Sequence, residues 1–149
     1  MAEWKKICCA IDFSEPSHLA MEEAASLARR FEAELTLLHV YEERAVSPEI
    51  LLAKYEQAAP ELEKKVGGFQ REAEQIAGRP VRTVLLTGSA AATEIGRFVR
   101  EGSFDLAVMA THGRTGLARV VLGSVAERVV REAECSVLVV RGRLAPGAR

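Results

Sequence analysis

The sequence predicts an α/β fold: a single domain built on an open, doubly wound, five-stranded parallel sheet with helices on both faces. Three observations predict it. Five short apolar runs recur along 149 residues. Most are continuously apolar rather than alternating, which suits strands covered on both faces. Stretches of helical periodicity separate the runs, as in βαβ units.

The first strand is ICCAI, residues 7–11. After the turn AIDFSE, the residues Ala20, Ala24, Leu27, Ala28 and Phe31 draw one apolar helical stripe, and Glu22, Glu23, Arg29 and Arg30 lie away from it. The second strand is LTLLHV, 35–40. From Ser47 to Gly78 the pattern is less regular, with Pro60 and the pair Gly67-Gly68 inside it. Each interior glycine costs a helix about 1 kcal/mol. We therefore expect a broken helix in two pieces, with Pro60 near the start of the second.

The third strand is VRTVLL, 81–86, and Ser89 is placed to cap the helix carrying Ala91, Ile95, Phe98 and Val99. LAVMA, 106–110, is the fourth strand. A glycine-containing segment follows, and then a stripe of Ala126, Val129, Val130 and Ala133. The fifth strand is SVLVV, 136–140. The expected domain is 1–141, with 142–149 as a loose tail lacking an apolar pattern.

Composition narrows the function classes. Hydrophobic residues make up 48% and charged residues 28%, ordinary for a soluble globular domain with a sizeable core. A formal net charge of -1 supplies no overall basic surface for non-specific nucleic-acid binding. No run approaches the roughly 20 apolar residues of a membrane span. The N-terminal stretch lacks a secretory pattern, so the expected location is cytoplasmic. Cys8, Cys9 and Cys135 are odd in number and have neither disulfide-framework nor metal spacing. They read as small apolar residues of buried strands.

The segment MATHGRTGLARVVLGSVAERV, 109–129, carries the functional signal. Gly123-Ser124-Val125 opens a helix, whose first N–H groups have no partner within it and carry partial positive charge. A phosphate fits such an end. Gly113, Gly116 and Gly123 admit close backbone approach, and Arg114 and Arg119 add charge. A second reading stays open: Ser124 and Glu127 form S-x-x-E, a capping box that satisfies the same helix end without a ligand. Neither a P-loop nor G-x-G-x-x-G after the first strand is present.

In the order 3-2-1-4-5 the strand sequence reverses between strands 1 and 4, and a ligand crevice forms outside their carboxyl ends. Those ends are Asp12-Phe13-Ser14 and Thr111-His112-Gly113. Asp12 has two readings there, ligand contact and organiser of the turn with Ser14. His112 reads as a phosphate donor or as a plain loop histidine. His39, within strand 2, reads as packed and hydrogen-bonded, and His18 as a surface residue.

Three stretches carry a resemblance: KKICCAIDFSEPS, LTLLHVYE and THGRTGLARVVLGSVAERVVREAECSVLVVR. Through them the chain resembles a universal stress protein of the nucleotide-binding type over nearly its whole length. ATP-binding members carry G-x-x-G, nine residues, then G-[ST]. Gly113 and Gly123-Ser124 match that spacing, and Ala110 stands at the first glycine position.

The resemblance implies an ATP site, and the ligand reading of Asp12 includes contact with adenine, ribose or a phosphate-bound Mg²⁺. Adenine and ribose contacts map to Ala10, Asp12 and Val40, with Ala110 on the ribose side. Phosphate contacts map to His112, Gly113, Arg114, Gly123, Ser124 and Val125. It also implies a homodimer through the last strand, Val137 to Val140. With it, the order 3-2-1-4-5 is the expected topology. The expected function is a dimeric, ATP-binding stress-response regulator. Slow ATP hydrolysis and a nucleotide-free interaction module remain the alternatives.

Overall fold

The structure is a computed structural model and describes residues 3–112 and 122–142. The elements run β1 (Lys6–Ala10), α1 (Glu15–Phe31), β2 (Glu34–Glu42), α2 (Pro48–Ala77), β3 (Arg82–Gly88), α3 (Ala91–Glu101), β4 (Leu106–Ala110), α4 (Ser124–Glu132) and β5 (Ser136–Val140). All four pairings are parallel and the order is β3-β2-β1-β4-β5, as expected. Lys6–Ala10 pairs with Glu34–Leu38 on one side, and Ile7 faces Leu106 on the other.

Side-chain alternation explains why the strand runs are continuously apolar. Ile7, Cys9, Leu35, Leu37, Leu106 and Val108 pack with α1 and with Ala73 and Ala77 of α2. Cys8, Leu38, Ala107 and Met109 pack on the opposite face with Ala92, Ile95 and Val99 of α3 and with Ala126 and Val129 of α4. Both faces are covered, so both parities of the strand must be apolar. Leu35, Leu37 and Leu38 are at most 2% exposed, and each such burial contributes about 1.5–3 kcal/mol. Cys8 and Cys9 are buried in this core as expected, whereas Cys135 is half-buried and precedes β5 rather than lying in a buried strand.

Helix α1 follows its predicted stripe, with Ala20, Ala24 and Ala28 fully buried. Ser14 caps it by accepting from the Ser17 N–H, Pro16 stands in its first turn, and Arg29 and Arg30 complement the dipole at its last turn.

Helix α2 corrects the expectation of two pieces. It is one helix of 30 residues with Pro60 inside it. Ser47 caps its start, and Gly78 at φ 70 closes it in the left-handed conformation that glycine favours. Pro60 removes one backbone donor, but Pro60 and Glu56 are both exposed, so water can satisfy the carbonyl left over. The buried residues of α2, Leu62, Val66, Ala73 and Ala77, all lie beyond the proline. Tertiary packing of this second half outweighs the glycine penalty.

Two caps also differ from expectation. Ser89 does not cap α3; its N-cap residue is Ala90, without a side-chain bond. The Glu42 carboxylate at the end of β2 accepts from the Ala91 N–H at 2.6 Å and takes that role across 49 residues. Nor does the Ser124/Glu127 capping box form. Gly123 is the N-cap residue, Ser124 is already helical, and no side chain among the described residues caps α4. Val130, expected in the α4 stripe, is 46% exposed.

No helix among the described residues is long and apolar enough to cross a membrane. The expected tail, apart from Gly142, lies outside the described residues.

Candidate functional site

A cleft of about 620 Å³ lies at the carboxyl ends of β1 and β4, where the strand order reverses. The size is that of a small-molecule or cofactor site. Eight of the ten residues expected at a nucleotide site line this one cleft: Ala10, Asp12, Val40, Ala110, His112, Gly123, Ser124 and Val125. The other two, Gly113 and Arg114, lie outside the described residues.

The β1–α1 turn forms one wall. The Asp12 carboxylate accepts from both the backbone N–H and the hydroxyl of Ser14, and the Asp12 N–H donates to Ser17 Oγ at 3.3 Å. Asp12 therefore organises the turn while also facing the cleft, which joins its two readings. Phe13 takes φ 65, a left-handed conformation that costs a non-glycine residue about 1–3 kcal/mol. Packing holds it there: its ring lies 4.4 Å from the His39 ring and 5.6 Å from Phe69 of α2, centroid to centroid. His39 is buried, and its Nδ1 donates to the Ile11 carbonyl at 2.8 Å. A carbonyl only accepts, so the proton is on Nδ1. The reading of His39 as packed and hydrogen-bonded stands.

The opposite wall is the β4 end and the start of α4. The Gly123 N–H donates to the Thr111 carbonyl at 2.6 Å. A Cβ at Gly123 would come within 2.9 Å of that same oxygen. Its φ of -58 is open to any residue, so close approach of two chain segments requires glycine here, not conformational freedom. The first helical amide bond is Glu127 N–H to Gly123 O. The N–H groups of Ser124, Val125 and Ala126 precede it, and all three residues line the cleft. His112 adds a second polar feature. Its Nδ1 lies 3.1 Å from Thr111 Oγ1, and its Nε2 is buried without a partner among the described residues.

The floor is apolar, with Leu38, Ile95 and Met109 beneath Ala10 and Ala110. The Ala110 methyl packs against the core cluster on the α1 side. Among the described residues no group of three metal-ligating side chains gathers.

Sequence reasoning missed part of the lining. Tyr41 and Glu42 lie just past the predicted end of strand 2, and β2 extends through them. Ala58, Glu61, Leu62 and Lys65 reach the cleft from α2, and Lys65 pairs with Glu61 at 3.7 Å. The rim position of Tyr41 and Glu42 was open to inference from their place after a strand. The α2 residues gave no such sign, because a tertiary contact alone brings them there.

Comparison with known proteins bears on the family and the fold. The profile of the Universal stress protein family matches residues 3–141. A universal stress protein of Methanocaldococcus jannaschii is 37% identical over 148 residues, covering 93% of this chain and 82% of that protein. A solved universal stress protein from Lactobacillus plantarum superposes with a TM-score of 0.84 at 25% identity, over 95% of this chain and 100% of the other. A universal stress protein solved in complex with cAMP shares the fold at a TM-score of 0.71 and 20% identity, covering 93% of this chain and 98% of that one. The sheet order, the cleft at its reversal point and these matches lead to one conclusion: the chain belongs to the universal stress protein family.

Proposed function

We propose that the cleft binds an adenine nucleotide, ATP, and that its occupancy governs the interactions of a dimeric stress-response regulator. One observation carries the reading: the α4 N-terminus opens into the cleft without a side-chain cap among the described residues, beside His112 Nε2, which is buried and has no partner among them. The other three long helices differ, since Ser14, Ser47 and Glu42 supply side-chain acceptors to α1, α2 and α3. Exposed amides and a helix dipole favour an anion.

In this assignment the base and ribose lie by Ala10, Asp12, Val40 and Ala110. The phosphates lie by His112, Gly113, Arg114, Gly123, Ser124 and Val125. Asp12 is the carboxylate we assign to the ribose or to a phosphate-bound Mg²⁺. The cAMP complex of the fold neighbour is a property of that protein; for this chain the reading rests on its own cleft.

The dimer reading is supported by the position of β5 at the sheet edge, with Val137 to Val140 only half-buried. Apolar edge strands pair readily with a second chain. Calorimetric titration of dialysed protein with ATP and Mg²⁺ should give saturable heat. A flat titration overturns the nucleotide reading and leaves the interaction module.

A further inference from the structure

The cleft carries polar groups at two ends. On the β4 side stand the α4 amides and His112; on the β2 side stands Glu42, and Leu38, Ile95 and Met109 supply the apolar floor. In the sheet order β1 separates β2 from β4, so these ends lie two strand spacings apart, about 10 Å. A ribose and a base bridge a gap of that order when the phosphates lie at α4.

Glu42 is held in place before any ligand arrives. Its Oε2 accepts from the Ala91 N–H at 2.6 Å, and Ala91 also lines the cleft. Its Oε1 pairs with Arg44 Nε at 3.3 Å, but the Arg44 side chain is 74% exposed, so water weakens that pair. An ionised carboxylate offers about four acceptor sites, and these two bonds leave room for a further donor. Val40 and Glu42 are two residues apart on β2 and project to the same face of the sheet. The other cleft carboxylates are engaged differently: Asp12 is tied into its own turn by Ser14, and the exposed Glu61 pairs with Lys65.

We propose that Glu42 selects the base. Its Oε1 accepts from the exocyclic amine of a 6-aminopurine and repels the carbonyl oxygen that guanine and hypoxanthine carry at that position. The inference rests on the nucleotide reading of the cleft and adds the residue that discriminates among purines. A bond from an amine to a carboxylate is charge-assisted, roughly twice as strong as a neutral one. The Ala91 N–H has already oriented the acceptor, which lowers the ordering cost of binding.

Calorimetric titration of the full chain with ATP, ITP and the triphosphate of unsubstituted purine riboside tests the selection. ATP should bind about tenfold tighter or more than either of the others, the worth of one hydrogen bond to a charged group. Glu42→Gln should shift the preference. Its single side-chain oxygen stays with the Ala91 N–H, so an amide NH2 takes the place of Oε1 and donates to the inosine carbonyl. The affinity for ITP relative to ATP should then rise about tenfold or more. Damage to the α3 cap alone would weaken all three ligands alike, so the ratio separates base reading from a structural role. Equal affinities of the wild-type chain for the three ligands overturn this inference and leave the nucleotide reading standing. An unchanged ratio in Glu42→Gln overturns the assignment to Glu42. Heat from none of the three overturns the nucleotide reading, and this inference with it.

Discussion

Substituting Gly123 by alanine tests the tightest contact at the nucleotide cleft. The added Cβ would lie 2.9 Å from the Thr111 carbonyl oxygen and 3.5 Å from the His112 Cα. Both are backbone atoms, so no flexible side chain can swing away. The backbone at φ -58 and ψ 153 tolerates alanine, which leaves the contact as the whole cost. To relieve it, the α4 start must retreat from the β4 end by several tenths of an ångström. That stretches the 2.6 Å bond between Gly123 N and Thr111 O, whose loss costs about 1 kcal/mol. Overpacking strain adds about 1–3 kcal/mol. The sum is about 2–4 kcal/mol, or roughly 5–15 °C in Tm for a chain of this size. Urea denaturation at fixed protein concentration measures it as a lower midpoint with unchanged slope. Alanine at 123 with a midpoint within about 0.5 kcal/mol of wild type would refute the close-approach argument. The same retreat moves the Ser124 and Val125 amides, so ATP affinity should fall with stability.

Gly68→Ala should act in the opposite direction. A Cβ there meets nothing within 4 Å, and the helix gains about 0.5–1 kcal/mol, read as a raised urea midpoint. Glu42→Ala removes the α3 cap and should cost about 1 kcal/mol in the same assay, while Glu42→Gln, which retains an acceptor, should cost less. Burial pushes the Cys8 thiol from 9.0 up to about 12 and raises Cys9 well above its ordinary value. Above pH 9 the unfolded chain releases thiol protons that the folded chain keeps, so stability should fall with rising pH by about 1.4 kcal/mol per unit for each thiol. That loss continues until the folded thiols ionise, near pH 12 for Cys8. Cys8→Ala should flatten the decline in urea midpoint between about pH 9 and 11, and parallel profiles would count against the linkage.

The strands and their burial were legible because both faces of the sheet impose the same demand on successive residues. Ile7, Cys8 and Cys9 must all be apolar, and the sequence shows it directly. The α1 stripe was legible for the related reason that one face packs. Helix α2 was misjudged because Pro60 and Gly67-Gly68 are local signals, whereas Leu62, Val66, Ala73 and Ala77 gain their weight from tertiary packing. Local cap rules misassigned Ser89 and Ser124. Glu42 outcompetes Ser89 through a contact distant in sequence, and Ser124 enters α4 as its first helical residue, too late to cap it. The cleft residues on β1 and β4 followed from the strand order, but Glu61 and Lys65 did not, since α2 reaches the cleft only by folding back.

The one-sided anchoring of α2 has a consequence for how the molecule distributes its stability. At about 1.5 Å per residue, the helix is some 45 Å long, and every residue it sinks into the core follows Pro60. Its leading half has little to lose by detaching: Ile50 and Leu52 are already about half exposed, and the proline has removed a rung where the halves join. Local opening of that half therefore draws on a far smaller free energy than global unfolding. Changes to residues 48–59 will alter how often the outer rim of the cleft, at Ala58, swings away, while leaving the melting point of the sheet nearly untouched.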